Sequence, residues 1–325
     1  MKERLLSGMR PTGKLHLGHL IGALNNWVKL QDEYLCLFMV ADWHALMSEY
    51  QDPSHIREYI VDNVIDWLSC GIDYQRSIIF VQSDVKEHLE LDMIFSCITP
   101  LGWLARCPTY KEQLKELKDK DVNTYAFLGY PVLQASDILV YKAEAVPVGE
   151  DQLPHLELTR EIARRFNHLY KNIFPEPEAI LTSSPRLLGL DGRKMSKSYN
   201  NFIALSDEED LVRKKIVSMF TDPKRIRLKD PGHPKVCNVY SYYKIFDPQR
   251  QKEVYERCTG AKVGCTECKN SLAAALILML KPIQEKRRLL LGDKDKIQDI
   301  LEEGAKSASD IAAKTLKEIK ELLNL

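Results

Sequence analysis

Short apolar runs alternate with helical patterns through the first part of the chain. One apolar run covers residues 34–41 and a second, β-branched, covers residues 77–81. Between them, from Ser54 to Ser69, apolar residues recur every four positions, which predicts a helix. Gly71 then stands where a left-handed residue ends such a helix. This β–α–β alternation predicts a parallel sheet with helices on both of its faces.

The pattern changes near residue 205. Beyond it strand signals thin out and helical periodicity dominates, as in residues 211–220, 270–281 and 312–323. We therefore expect an α/β fold with two domains: a Rossmann-like catalytic domain over residues 1–205, followed by a smaller all-helical domain over residues 206–325. A chain of 325 residues is long enough for two such cores.

Composition narrows the class of protein. With 45% hydrophobic and 28% charged residues, the sequence is that of a folded globular protein and not of a disordered one. It has neither an apolar run long enough to cross a membrane nor an apolar signal core near its start, so we expect a cytoplasmic protein with no membrane partner. Basic and acidic residues balance at 46 each, but residues 206–325 carry 24 basic and 19 acidic side chains, which makes this the half that faces an anionic partner.

A glycine-bearing turn follows the first predicted strand, residues 4–7. The turn reads GMRPTGKLHLGH over residues 8–19 and leads into a helix. Free amide groups and the positive end of a helix bind anions, so nucleotide phosphate is the expected ligand. His16 and His19 can donate hydrogen bonds to phosphoryl oxygens, and Gly18 lets the backbone approach a ligand closely. Taken alone, the same string favours the simpler interpretation, which is turn glycines and two surface histidines.

A second loop changes that balance. Residues 191–198 read DGRKMSKS, which places three cations and two hydroxyls beside a glycine. Such a loop is suited to neutralising a pyrophosphate leaving group. Together, the HLGH and KMSKS strings resemble the paired signatures of the class I aminoacyl-tRNA synthetases.

In that family two loops hold ATP while the carboxylate of the amino acid attacks the α-phosphorus, and the activated amino acid then passes to the 3′ end of tRNA. The resemblance implies ATP with Mg²⁺ as cofactor, and tRNA but not DNA as a partner. It assigns catalysis to His16, His19, Lys194 and Lys197. It assigns ATP binding to Thr12, Gly18, His19, Lys194, Met195, Ser196 and Lys197. We add Arg10 to this set although it departs from the family pattern, because it could place a charge near the α-phosphate; the alternative is that it faces solvent. Lys118 and Lys120 are further candidates for a triphosphate contact.

The segment YPVLQASDIL over residues 130–139, followed by AVPVGEDQ over residues 145–152, resembles the tryptophanyl-tRNA synthetases. On a helix, Tyr130, Gln134 and Asp137 share one face. Such a face could simply be solvated, but the apolar strand and Val-Gly that follow it indicate that it lines a pocket.

By this resemblance the substrates are L-tryptophan and tRNA(Trp), and the protein is a homodimer. Asp137 accepts the indole N–H, and Tyr130 and Gln152 hold the α-amino or carboxylate group. His44 follows a predicted strand at the edge where open parallel sheets bind ligands, so we expect it to line the same pocket. A tyrosine-activating enzyme and a non-catalytic paralogue that senses tryptophan or binds RNA are the alternatives.

Four of the eight cysteines form a C-x20-C-x6-C-x2-C pattern, namely Cys237, Cys258, Cys265 and Cys268. In a reducing compartment this spacing favours a metal site over disulfides. Four thiolates suit zinc and iron–sulfur clusters equally well. A subset of tryptophanyl-tRNA synthetases resembles this sequence in carrying a [4Fe-4S] cluster on a nearly identical pattern, so the cluster is the preferred expectation and Zn²⁺ the alternative.

Overall fold

The structure is a computed structural model that describes residues 2–107, 121–181, 187–197 and 199–325. The described residues form two compact units. Unit 1 lies within Met1–Gly13, Asn26–Ser183 and Asp293–Leu325, and unit 2 within Lys14–Asn25 and Ser184–Gly292. Lys118, Lys120 and Ser198, which were named from the sequence, lie outside the described residues.

A five-stranded parallel sheet forms the centre of unit 1. Its strands are β1 (Arg4–Met9), β2 (Leu35–Val40), β3 (Ser77–Val81), β4 (Ala145–Val148) and β5 (Glu178–Leu181). They lie in the order β3-β2-β1-β4-β5, and all pairs are parallel. The order reverses direction at β1, which is the topological switch point where open α/β sheets bind their ligands. The predicted Rossmann-like fold is thus confirmed.

Helices account for most of the remaining described residues. They are α1 (Leu17–His19), α2 (Asn25–Leu30), α3 (Asp42–Glu49), α4 (Ile56–Ser69), α5 (Glu87–Ile98), α6 (Leu101–Arg106), α7 (Tyr125–Leu139), α8 (Leu153–Leu169), α9 (Glu209–Ser218), α10 (Asn238–Phe246), α11 (Gln251–Thr259), α12 (Cys265–Leu291) and α13 (Lys294–Leu323). A π-helical segment, Leu20–Leu24, joins α1 to α2, and 3-10 turns occupy Gln82–Asp84, Glu150–Gln152, Pro234–Val236 and Pro248–Arg250. None of the helices in these described ranges has the length and apolar character that a membrane crossing requires.

The core of unit 1 contains the elements that the apolar patterns of the sequence predicted. Every residue of β2 except Leu35 is buried, as expected for a central strand covered on both faces. Helix α4 ends as predicted, with Gly71 at a φ of +110°. The methyl groups of Val28 lie 3.4 Å or more from the point where a Cβ would stand on this glycine, so the backbone angle and not the space demands glycine here.

The last helix departs from the predicted domain boundary near residue 205. Helix α13 belongs to unit 1, where it packs against β3. A Cβ on Gly304 would lie 1.7 Å from the carbonyl oxygen of Ile79, so the helix backbone reaches the strand directly. Ala308 and Ala312 continue this small-residue face and are fully buried. Such a face buries apolar surface against the sheet, and for this reason the helix does not join the helical unit that precedes it in the chain.

Unit 2 differs from the prediction at its other end as well. It includes residues 14–25, because the backbone there pairs with residues 203–205. The N–H of Leu17 donates to the carbonyl of Ile203 at 3.0 Å, and the N–H of Leu205 donates to the carbonyl of Leu15 at 3.0 Å. Helices α9 to α12 complete this unit, in which α9 packs along α12.

Candidate active site

The HLGH turn forms a cap made of two histidines. The Nδ1 atom of His16 accepts the backbone N–H of Gly18 at 3.1 Å, and the Nδ1 atom of His19 accepts the backbone N–H of His16 at 3.1 Å. The two rings lie 3.9 Å apart between centroids. A Cβ on Gly18 would stand 2.8 Å from Cε1 of His16, so this position accepts only glycine if the ring is to keep its place.

This cap fixes where the ring protons are. A neutral imidazole whose Nδ1 atom accepts a hydrogen bond carries its proton on Nε2. Burial, followed by the charge of Lys197, lowers the pKa of His16 to about 3. Burial and the neighbouring His16 lower the pKa of His19 well below its ordinary value. Both rings are therefore neutral near pH 7, and each offers an Nε2–H donor.

The structure brings the KMSKS loop to this turn, although the two strings are about 180 residues apart. Backbone pairing between residues 15–17 and 203–205 joins the segments, and Phe202 lies 5.5 Å from the His16 ring. On the loop itself, Met195 is buried, and its sulfur would lie 3.7 Å from a Cβ on Gly18. The two strings that were singled out separately therefore form one site within unit 2.

Internal hydrogen bonds shape the loop. Gly192 takes a φ of +83°, and Asn201 donates to Asp191 at 2.7 Å and accepts the backbone N–H of Ser196 at 2.9 Å. Arg193 bonds to Asp191 at 2.7 Å and stacks over Tyr199 at 4.3 Å. Burial alone would raise the pKa of Asp191, but hydrogen bonds from Asn201 and Arg193 outweigh it and leave that pKa below its ordinary value.

This arrangement separates the roles of the loop's cations. Arg193 is engaged in holding the loop, whereas the side chain of Lys194 is exposed and that of Lys197 lies close enough to His16 to lower its pKa. Two ammonium groups and two imidazole N–H donors in one site form an anion-binding surface.

A separate cavity of about 350 Å³ opens in unit 1 at the carboxyl ends of β1, β2 and β4. The predicted substrate-binding residues Tyr130, Gln134, Asp137, Gln152 and His44 all line it. Three of them lie on α7 with the spacing that was predicted to put them on one face. That face is therefore directed into a cavity and not into solvent.

Apolar side chains supply another part of the wall, among them Met39, Phe127, Val146 and Val148. Arg10 also lines this cavity and is exposed, whereas Thr12, in the same unit, is not among the lining residues. The eight residues assigned to ATP are thus divided between the two units: Arg10 and Thr12 belong to unit 1, and Gly18, His19 and the loop residues to unit 2.

Asp137 is the buried polar group of the cavity, with 2% of its surface exposed. Its Oδ2 atom bonds to Nε2 of His44 at 2.7 Å. Its Oδ1 atom accepts from Nε2 of Gln82 at 2.8 Å and bonds to Nδ1 of His88 at 2.7 Å. Burial would raise the pKa of Asp137, but the hydrogen bonds from His44 and His88 outweigh it and lower that pKa to about 2. The group is consequently a carboxylate near pH 7.

A buried histidine holds the side chain of Tyr130 in place. The tyrosine hydroxyl bonds to Nε2 of His155, whose Nδ1 atom lies 3.6 Å from the sulfur of Cys107. Burial lowers the pKa of His155 to about 4, so this ring is neutral near pH 7. The buried Cys107 therefore contacts the histidine that holds Tyr130.

Sequence reasoning missed Gln82 and His88. Gln82 was detectable in principle, because it follows directly on β3, at the edge where parallel sheets place ligand-binding side chains. His88 lies in the first turn of α5 and is fully buried. A single histidine inside an amphipathic helix carries no spacing signal, so nothing in the sequence marked it.

The four cysteines of the C-terminal pattern all lie in unit 2. Cys265 begins α12, Cys268 follows one turn later, Cys258 lies near the end of α11, and Cys237 precedes α10. Among the described residues, no three histidine, cysteine, aspartate or glutamate side chains are arranged to hold a single metal ion. Burial, and then the charges of Cys237 and Cys258, raise the pKa of Cys268 to about 12.

Comparison with known proteins gives one consistent result. The family described as tRNA synthetases class I (W and Y) matches residues 2–281. A tryptophan–tRNA ligase of Thermotoga maritima is 54% identical over 325 residues, which cover 99% of each chain. Another from Aquifex aeolicus is 44% identical over 393 residues, covering 99% of this chain and all of that one.

Solved structures agree. The crystal structure of tryptophanyl-tRNA synthetase from Campylobacter jejuni, complexed with ADP and tryptophan, is 35% identical and superposes with a TM-score of 0.91, covering 99% of this chain and 100% of that chain. The paired motifs, the parallel sheet and these relatives lead to one conclusion: this chain belongs to the tryptophan–tRNA ligases, within the class I tRNA synthetases for tryptophan and tyrosine.

Proposed function

We propose that the protein is a tryptophan–tRNA ligase that activates L-tryptophan with ATP, releases pyrophosphate, and transfers the tryptophanyl group to the 3′ end of tRNA(Trp). The observation that carries this proposal is the ionised Asp137 in a cavity that is lined in part by apolar side chains such as Met39 and Phe127. The flat apolar surface of an indole fits such walls, and its single N–H supplies the donor that a buried carboxylate requires.

The same group explains selection against phenylalanine. Phenylalanine fills an apolar cavity but brings no donor, so its binding would desolvate the carboxylate without replacing the lost water contact. Sites built to hydrogen-bond a substrate group reject analogues that lack the group by large factors. Tyr130 and Gln152, which line the cavity together with Asp137, bind the α-amino or carboxylate group in this proposal.

The anion-binding surface of unit 2 takes the phosphates of ATP. The Nε2–H groups of His16 and His19 donate to phosphoryl oxygens, and Lys194 and Lys197 neutralise charge on the departing pyrophosphate. Mg²⁺ enters with ATP, as expected for a class I synthetase. Attack of the tryptophan carboxylate on the α-phosphorus forms the mixed anhydride and breaks the bond to pyrophosphate, so the protein supplies position and charge and forms no covalent bond itself.

One assay tests the activation step. Pyrophosphate–ATP exchange, measured with each of the twenty amino acids, should depend on tryptophan and be negligible with phenylalanine. Exchange that depends on tyrosine would show the tyrosine-activating alternative, and no exchange with any amino acid would show the non-catalytic paralogue.

For tRNA, the proposal uses the basic run at residues 224–229. Lys224, Arg227 and Lys229 are exposed, and Arg225 joins the run to the cysteines through a 3.9 Å contact with the sulfur of Cys258. Cations in such a run bind RNA phosphates, while unstacked anticodon bases provide specificity. Arg227→Glu should therefore raise the KM for tRNA in aminoacylation and leave pyrophosphate exchange unchanged. A matching loss in both assays would contradict this role.

The four cysteines fit a [4Fe-4S] cluster in this proposal. Cys265 and Cys268 lie one turn apart at the start of α12, and burial raises the pKa of Cys258 and of Cys268. Four cysteine thiolates are a ligand set for such a cluster, and zinc, which binds four sulfurs at about 2.3 Å, is the alternative. When bound, the cluster would link the loops that precede α10 and α12. The activation chemistry does not involve it.

Anaerobically purified protein should be brown and contain iron, and Cys265→Ser should lose the colour. Cys97→Ser is the matched control, because Cys97 is exposed and lies in unit 1. Colourless protein with one zinc per chain would favour the alternative.

One surface of unit 1 has the apolar character expected of a homodimer interface. Leu89, Met93 and Tyr125 are 41%, 64% and 80% exposed, and Leu89 and Tyr125 line an apolar depression of about 380 Å³. Exposed apolar clusters of this kind mark protein interfaces. Sedimentation velocity should give a dimer, and Met93→Lys should shift it towards monomer.

A further inference from the structure

The hydrogen bonds of Asp137 extend beyond the cavity wall. His88, which bonds to Oδ1 of Asp137 through Nδ1, also bonds through Nε2 to the hydroxyl of Tyr141 at 2.8 Å. Both His88 and Tyr141 are completely buried, and neither lines the cavity. Tyr141, His88 and Asp137 therefore form a chain of two hydrogen bonds that ends at the substrate side of the wall.

Donor and acceptor roles along this chain can be assigned from its two ends. An ionised carboxylate only accepts, so the His88 nitrogen that faces Asp137 carries a proton. At the other end, burial and the charge of Asp137 raise the pKa of Tyr141 well above its ordinary value, so the hydroxyl keeps its proton. The consistent arrangement has Tyr141 O–H donating to Nε2 of His88, and Nδ1–H of His88 donating to Asp137.

Counting acceptor positions shows what the chain does for the substrate. A carboxylate oxygen has two lone pairs. Among the described residues, Gln82 and His88 occupy both positions on Oδ1, whereas His44 alone is bound to Oδ2. One acceptor position therefore remains, on the oxygen that His44 also holds, and His44 itself lines the cavity.

We propose that His88 and Tyr141 are positioning residues for indole recognition: by fixing Oδ1 of Asp137, they leave Oδ2 as the one acceptor directed at the substrate N–H. This inference rests on the proposed function, because it assigns that N–H to Asp137. If the chain is broken at Tyr141, His88 loses its fixed tautomer and ring orientation, and the carboxylate can rotate away from the indole. The protein should then distinguish tryptophan less well from an analogue without the N–H.

The test compares tryptophan with β-(3-benzothienyl)alanine, in which sulfur replaces the indole N–H. Pyrophosphate exchange is measured for both amino acids with the wild type, Tyr141→Phe and His88→Asn. Asparagine can place an N–H near the position of Nδ1 but cannot reach Tyr141. Ser136→Ala is the matched control. It also deletes a fully buried hydroxyl, from α7 and close to Tyr141 in the chain, but that hydroxyl donates within the helix, to the carbonyl of Val132.

We expect Tyr141→Phe to reduce the preference for tryptophan over the analogue about tenfold, through the KM for tryptophan, with kcat and the KM for ATP nearly unchanged. His88→Asn should retain part of the preference, and Ser136→Ala all of it. Equal losses for the two amino acids in Tyr141→Phe, or an equal loss of preference in Ser136→Ala, would assign the residues a purely structural role and overturn the inference. A wild type that shows no tryptophan-dependent exchange would instead overturn the proposed function itself.

A second measurement needs no variant to be active. Histidine ¹⁵N spectra of the full wild-type chain should show His88 with Nδ1 protonated and Nε2 unprotonated, the signal being assigned by its loss in His88→Asn. A proton on Nε2 would mean that Tyr141 accepts instead of donating, and this would refute the proposed chain.

Discussion

Replacing Asp137 by asparagine tests the proposed substrate selection with almost no change in shape. The substitution removes the negative charge and turns one of the two acceptors into a donor. A hydrogen bond to a charged group contributes about 1.5–3 kcal/mol. Since each 1.4 kcal/mol changes an equilibrium constant tenfold, loss of that bond should weaken tryptophan binding roughly 10- to 150-fold.

The buried surroundings add a cost in stability. Three donors face the carboxylate, from Gln82, His88 and His44, and the asparagine amide must direct its own NH₂ group at one or two of them. An unsatisfied buried donor costs about 1–3 kcal/mol, so the melting temperature should fall by a few degrees. The folded fraction must therefore be checked by circular dichroism before the kinetics are compared.

The assay is pyrophosphate exchange with tryptophan and ATP varied separately. The KM for tryptophan should rise by the factor above, while the KM for ATP stays within about twofold. Asp92→Asn is the control, because Asp92 is a neighbouring carboxylate on α5 that does not line the substrate cavity. Equal rises in both KM values, or an unchanged KM for tryptophan in folded protein, would refute the assignment of Asp137 to the indole N–H.

Three further predictions concern the turn of unit 2 and the packing of the last helix. Gly18→Ala should displace the His16 ring and raise the KM for ATP roughly 10- to 100-fold in exchange kinetics. Gly22→Ala is the control and should change this KM little, because a Cβ there would meet nothing within 4 Å. Gly304→Ala should lower the free energy of unfolding by about 1–3 kcal/mol or more through overpacking, as measured by thermal melts. Gly102→Ala is the control: it changes an exposed helix position with open space and should be neutral or slightly stabilising. Burial lowers the pKa of His16 to about 3, so the imidazole stays neutral in the folded state at a pH where the unfolded chain, below about pH 6.5, binds a proton. The free energy of unfolding should therefore decrease as the pH falls. His16→Gln should remove about 2 kcal/mol of the loss between pH 7 and pH 5, and an identical pH dependence in urea unfolding of the two proteins would contradict this.

Local patterns predicted those parts of the fold that depend on local physics. Strands β1 to β3, helix α4 and its end at Gly71 follow from apolar periodicity and from the backbone freedom of glycine. The position of α13 does not, because the small face at Gly304, Ala308 and Ala312 specifies close packing but not which surface it packs against. Sequence order suggested the preceding helices, and the structure instead shows β3.

The candidate site was predictable to the same degree. Tyr130, Gln134 and Asp137 share a helix face by simple geometry, and their common cavity confirms that placement. The hydrogen-bond partners of Asp137 come from α3, from α5 and from the turn after β3, each separated from it by dozens of residues, and those on α3 and α5 lower its pKa. No spacing rule links such residues, so the charge state of the carboxylate could be obtained only from the folded structure.

The histidines show why this limit is chemical and not only topological. In the turn of unit 2, backbone amides bind the Nδ1 atoms of His16 and His19, so that the outward donor is Nε2–H. Behind the cavity, a carboxylate faces Nδ1 of His88, and the donor is Nδ1–H. The residue type is the same in both places, but the partner at one ring nitrogen determines what the other nitrogen can do. A sequence motif specifies that an imidazole is present, whereas its function as a phosphate donor or as an orienting link to a carboxylate is determined by its partner in the fold.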